Sequence, residues 1–123
     1  MPAYMLLLRD EQVNYDVMKP EDFEALFQRF VQWAETLEQD KKLLGVERLG
    51  VGGKTVRQRA GRIVVDGPYT EGKETVMGFF IVEAADEAEA ARIAAQVPSV
   101  AIGGSVEVRE VAPFPKPPGP KVS

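Results

Sequence analysis

Val64-Val65-Asp66-Gly67-Pro68-Tyr69-Thr70-Glu71-Gly72-Lys73-Glu74 joins two apolar runs through one corner. The first run ends abruptly in Asp-Gly-Pro. Glycine permits an unusual φ there, and proline fixes the next one. An aromatic and four polar or charged side chains follow, and the chain then returns to Val76-Met77-Gly78-Phe79-Phe80-Ile81-Val82. The pattern predicts a strand, a rigid corner and a second strand.

Upstream of the corner, Lys54–Arg59 and Arg62–Val65 flank Ala60-Gly61, which predicts a hairpin. Leu44–Leu49 reads as a short strand, and Gly50–Gly53 as a flexible turn. Further back, Pro20 opens a helix. Proline suits the first helical position, and Glu21, Asp22 and Glu24 complement the positive end of the dipole. Phe23, Leu26, Phe27, Phe30, Ala34 and Leu37 recur at helical spacing, with Trp33 at the edge of the stripe and read as core. Lys41 and Lys42 suit the negative end, and Gly45 is expected to stop the helix. Ala3–Arg9 is apolar at both parities and reads as a central strand. Asp10–Lys19 reads as a loop.

Downstream, Asp86 is the N-cap of a second helix, with Glu89 three residues on. Ala90, Ile93, Ala94 and Val97 form a narrow stripe of small side chains, and Pro98 ends the helix. Val106-Glu107-Val108-Arg109 alternates like a strand with one buried face. The domain is expected to span 1–112. Residues 113–123 hold five prolines and two lysines and are expected to form an extended or disordered tail. The order of elements is α+β: a ferredoxin-like βαββαβ plan with an inserted hairpin.

Composition narrows the chemistry. The 123 residues are 45% hydrophobic and 28% charged, ordinary for a soluble globular domain. There is no cysteine, so disulfides, thiol nucleophiles and thiolate metal sites are excluded, and a cytoplasmic location is expected. Histidine is also absent, which removes the commonest general base and every His-containing triad. A net charge of −4 argues against nucleic acid, which demands a basic face. No apolar run approaches membrane-spanning length, and the N-terminus does not read as a signal peptide. Gly50-Val51-Gly52-Gly53-Lys54-Thr55 lacks the spacing of a phosphate loop, and no carboxylate cluster has metal-ligand spacing. No metal or cofactor is expected.

Asp66-Gly67-Pro68-Tyr69-Thr70-Glu71, followed by Lys73-Glu74, resembles the signature of the DGPF family within the YCII-related superfamily. Tyr4-Met5-Leu6-Leu7, Thr55-Val56-Arg57 and the run Gly103–Arg109 resemble further family motifs in the same order, so the likeness covers roughly residues 3–111. The resemblance implies a ferredoxin-like subunit that dimerises by packing two sheets face to face, as a dimeric α/β barrel. It also implies a pocket between sheet and helices, and distant similarity to muconolactone isomerase-like enzymes. Related members carry a His–Asp pair, which this chain cannot form. Tyr69 stands where the family usually has Phe, and Glu110 where it has Pro.

The candidate site follows from the corner and the family motifs. Asp66 reads either as an Asx-type turn residue or as a carboxylate at a strand end. Asp66 and Glu74 are the expected proton-transfer groups. Arg57, Arg109, Tyr69 and Lys73 are the expected ligand contacts, with Arg9 a further arginine to watch. Converging arginines would grip an anionic small molecule by bidentate hydrogen bonds. Two functions are compatible with this pattern. One is an isomerase- or lyase-like enzyme acting on a small anion as a homodimer. The other is a non-catalytic ligand-sensing or dimerisation module with a regulatory role.

Overall fold

The computed structural model describes residues 1–67, 74–113 and 115. Four antiparallel strands form the main sheet: β1 (Ala3–Glu11), β2 (Leu43–Arg48), β5 (Glu74–Glu83) and β6 (Ser105–Glu110), in the order β2-β5-β1-β6. Two further strands, β3 (Thr55–Arg59) and β4 (Arg62–Asp66), pair only with each other as a separate hairpin. Among the described residues the helices are α1 (Gln12–Asp16), α2 (Pro20–Gln39) and α3 (Glu87–Ala94), with a 3-10 turn at Pro98–Ile102. This is the ferredoxin-like α+β plan with an inserted hairpin.

Strand alternation organises the core. In β1, Tyr4, Leu6, Leu8 and Asp10 are buried, and their odd-numbered neighbours are half-buried. The even face packs with Phe80 and Val82 of β5 against Trp33 and Leu37 of α2 and Ala90, Ile93 and Ala94 of α3. Trp33 lies in the core, as its place on the stripe implied. Its ring meets Phe80 edge-on at 4.7 Å, and its indole N–H donates to Gln96. Phe27, expected on the same stripe, is instead exposed. The odd face of the sheet carries Met5, Leu7, Phe79 and Ile81, and none of the helices in the core covers it.

Several boundaries differ from the sequence reading. The expected loop Asp10–Lys19 contains the end of β1, Asp10 and Glu11, and the short helix α1. Helix α2 stops at Gln39, not at Gly45, because Lys41 takes the left-handed conformation (φ 57°) usually left to glycine. Gly45 lies within β2. Helix α3 ends at Ala94, and Pro98 opens the 3-10 turn. Asp86 caps α3 as expected: its Oδ1 accepts from the Glu89 N–H at 2.9 Å. The Glu89 carboxylate reaches back to the Ala85 N–H rather than to that of Asp86. Ala60 and Gly61 both have positive φ, the geometry of a two-residue turn that matches strand twist. Of the tail expected at 113–123, all but Pro113 and Pro115 lies outside the described residues.

Candidate functional site

The residues singled out in sequence are spread over two places. Arg57 and Asp66 lie on the hairpin, where Arg57 Nε meets Asp66 Oδ2 at 3.5 Å; both side chains are well exposed. Glu74 opens β5 and binds Arg9 Nε at 3.2 Å, rather than Arg57 or Arg109. Arg9 also reaches Glu107 at 3.2 Å, and Arg109 binds the other oxygen of Glu107 at 3.1 Å. Arg9, Glu74, Glu107 and Arg109 therefore form one chain of alternating charge on the odd face of the sheet. Arg57 stands apart from it. Tyr69 and Lys73 lie outside the described residues. Gly67 has φ of 126°, and a Cβ placed there would sit 2.6 Å from the carbonyl oxygen of Gly53. Only glycine fits that approach. The corner thus closes the neck of the hairpin, where Lys54 Nζ also donates to the Gly67 carbonyl.

A cavity of about 340 Å³ opens elsewhere, between α2 and the sheet. That is enough for a small organic ligand. Its walls are Phe27, Phe30, Val31 and Ala34 of α2, Val46–Leu49 on and after β2, Met77–Phe80 of β5, and Leu8. A register shift between Leu8 and Arg9 leaves Met77 without a partner on β1. Bulges of this kind are common next to functional sites, because they re-aim a side chain. Arg9 lines this cavity, whereas Asp66, Glu74, Arg57 and Arg109 do not.

The polar floor of the cavity is Asp10, with Tyr15 and Ser99. Asp10 is the last even position of β1 and is only 4% exposed. Its Oδ1 accepts from the Glu11 N–H at 2.8 Å and from Asn14 Nδ2 at 2.7 Å; its Oδ2 accepts from the Tyr15 hydroxyl at 2.9 Å. The partners are the last residue of β1 and two residues of α1, so the carboxylate ties α1 to the strand end as well as facing the cavity. Burial, and then the hydrogen bond to Asp10, hold the Tyr15 hydroxyl well above the ordinary tyrosine pKa, so it stays a neutral donor. At the mouth, the Arg48 guanidinium lies 5.5 Å over the Phe23 ring. Among the described residues it has no carboxylate partner.

Sequence reasoning passed over Asp10 because a charged residue after an apolar run reads as the start of a loop. Extending the alternation of Tyr4, Leu6 and Leu8 by two residues would have put a carboxylate on the buried face. Arg48 gave no such signal. Among the described residues, no cluster of Asp or Glu could hold a metal ion. No helix of the described chain is long and apolar enough to cross a membrane.

The order β2-β5-β1-β6, helices on one face and an open opposite face define a ferredoxin-like α+β domain with a ligand-sized cavity. Residues 3–115 match the family of the YCII-related domain, and the chain belongs to that family. No curated protein matches it.

Proposed function

We propose that this YCII-related protein is a small-molecule-binding homodimer whose ligand is a largely apolar organic anion held in the cavity between α2 and the sheet. The observation that carries the reading is the cavity itself. Its wall is aromatic and aliphatic, and its mouth holds an arginine without a carboxylate partner among the described residues. An apolar body would fill the space between Phe30 and Phe80, and an acidic group would find Arg48. The odd face of the sheet supports the dimer. Met5, Leu7, Phe79 and Ile81 are half-buried in one chain and continuous across the two central strands. Packing two such faces together would remove them from water and enclose the Arg9–Glu107 network at the edge.

The test is thermal stabilisation by small aromatic and aliphatic carboxylates and sulfonates. A ligand at a hundred times its Kd adds about 2.7 kcal/mol of stability. Arg48→Gln should weaken the effect, and Ala34→Phe, which fills the cavity, should abolish it. If no anion stabilises the protein, or if Ala34→Phe binds as well as the native chain, the reading fails.

A catalytic reading is favoured by one further observation, the Asp10–Tyr15 pair at the cavity floor. Asp66 and Glu74 lie outside the cavity, each in an exposed ion pair. The proton-transfer role in an isomerase- or lyase-like step would then fall to Asp10, which takes the proton as the Tyr15 hydroxyl turns its own from the carboxylate to a developing oxyanion. Incubation with small oxo acids in D2O tests it. Solvent deuterium should enter the enolisable position, and Asp10→Asn should stop it while binding persists. No exchange with any bound anion would leave the protein a ligand sensor without catalysis.

A further inference from the structure

Two unlike charges stand on the helix-covered face of the sheet, at opposite ends of the cavity. Arg48 of β2 and Leu8 of β1 both pair with Gly78 of β5, so their side chains share one face. Asp10 follows Leu8 by two residues and lies on that face as well. Arg48 is thus two strands across from Leu8, about 10 Å, and Asp10 is about 7 Å further along β1. The Arg48 guanidinium rests on the Phe23 ring instead of reaching Asp10. The other charges of the lining are directed elsewhere: Arg9 is held by Glu74 and Glu107, and Glu47, opposite Phe79, belongs to the odd face.

The buried Asp10 carboxylate is bonded by neutral groups alone, a backbone amide, a carboxamide and a hydroxyl. Among the described residues no cation reaches it. A buried charge without a counter-charge is costly. Acceptors with capacity to spare surround it. Asp10 Oδ2 takes one bond, from Tyr15, and the Tyr15 oxygen gives away its proton but keeps its lone pairs. Ser99 is 3% exposed and lines the cavity, and among the described residues its hydroxyl has no hydrogen-bond partner. None of the described side-chain oxygens is both sealed from solvent and unpartnered, so the Ser99 hydroxyl keeps an open side. Gly104 packs Asp10 and Ser99 together. A Cβ there would lie 3.1 Å from Asp10 Oδ2 and 3.0 Å from the Ser99 carbonyl oxygen, so only a bare Cα allows the approach.

We infer that the ligand is an amino acid with an apolar middle, its carboxylate on Arg48 at the mouth and its ammonium on Asp10, Tyr15 and Ser99 at the floor. An ammonium brings three N–H donors, and the floor offers three acceptors. It also neutralises Asp10, which a hydroxyl does not. The separation of the two ends calls for an ω-amino acid or an aminoalkyl aromatic acid, because the charges of an α-amino acid head group sit on one carbon. The apolar middle would lie against Phe30 and Phe80.

This ligand class rests on the cavity binding an organic acid, and the experiment separates the two. Calorimetric titration compares 4-(aminomethyl)benzoate, 4-(hydroxymethyl)benzoate and 4-methylbenzoate, which differ only in the group that meets the floor. The aminomethyl compound should bind about tenfold more tightly than either of the others. Asp10→Asn should erase that advantage while 4-methylbenzoate still binds. Ser99→Ala leaves the bonds of Asp10 intact and should reduce the advantage about threefold. Cooperative thermal unfolding confirms that both variants fold. Equal affinity of the native protein for the aminomethyl and methyl compounds, or an advantage that Asp10→Asn keeps in full, overturns the amino-acid ligand and leaves the cavity an anion site. A hydroxymethyl compound as tight as the aminomethyl one also overturns it, since the floor would then read a donor and not a charge. If none of these acids binds, both readings fall.

Discussion

Asp10→Ala is expected to cost about 3 kcal/mol of stability, although the change removes only one short side chain. Asp10 is nearly shut off from solvent and accepts three hydrogen bonds. Alanine would leave the Glu11 N–H, Asn14 Nδ2 and the Tyr15 hydroxyl without their acceptor. Asn14 is exposed and can turn to water, so its loss is small. Glu11 and Tyr15 are half-buried, and each should lose about 1.5 kcal/mol, the lower end for a bond to a charged acceptor. Asp10→Asn keeps an oxygen for the Glu11 N–H and an amide that the Tyr15 oxygen can accept from, so it should cost about 1 kcal/mol. Urea unfolding followed by circular dichroism gives both values, provided the m-value is unchanged. For a domain of this size, Asp10→Ala should lower Tm by about 10–15 °C. A double-mutant cycle with Tyr15→Phe should return a coupling of about 1 kcal/mol or more. If Asp10→Ala lies within about 0.5 kcal/mol of the native protein, the carboxylate does not hold the β1–α1 turn, and this account of the cavity floor is wrong.

Gly67→Ala should strain the neck by about 1–3 kcal/mol. Because the hairpin packs so little on the core, the loss should appear as faster amide exchange in β3 and β4 with little change in global Tm; unaltered hairpin protection would show that the corner is relaxed. The hydroxyls of Tyr15 and Tyr4 are both raised, Tyr15 by burial and then Asp10, Tyr4 by burial and then Glu110. A raised folded pKa gives stability that is fully present below the unfolded value, about 10, and is lost as pH climbs through the folded value. Unfolding free energy should therefore fall above pH 10, less steeply in Tyr15→Phe, and absorbance near 295 nm should show these two ionising late. Asp86→Ala removes the acceptor for the Glu89 N–H and should cost about 1 kcal/mol by thermal unfolding, with Asp86→Ser close to native. The exposed Arg57–Asp66 pair should show a coupling below about 1 kcal/mol, decreasing with salt; a larger, salt-independent value would mean that the pair is buried in the assembled protein.

Much of the fold was written locally. The spacing of apolar residues placed α2, the Ala60-Gly61 turn placed the hairpin, and the Asp86 cap placed the start of α3. These features depend on neighbours a few residues apart, and short-range sterics and hydrogen bonding decide them. The site was less legible. Asp66 and Glu74 stand out in the sequence because charges follow a sharp turn, yet each is neutralised by an arginine at the surface.

The sequence by itself determined an α+β domain of the ferredoxin-like plan, a family, and a chemistry without thiol or imidazole. Only the tertiary structure decided where a ligand could enter. Asp10, Tyr15 and Ser99 meet because β1, α1 and the 3-10 turn converge at one end of the sheet, and Arg48 joins them from an edge strand. Asp10 and Tyr15 are sequence neighbours, but no local spacing brings Ser99 and Arg48 to them. The meeting arises because burying one face of the sheet under α2 and α3 fixes the strand order, and the strand order sets which distant side chains share a cavity.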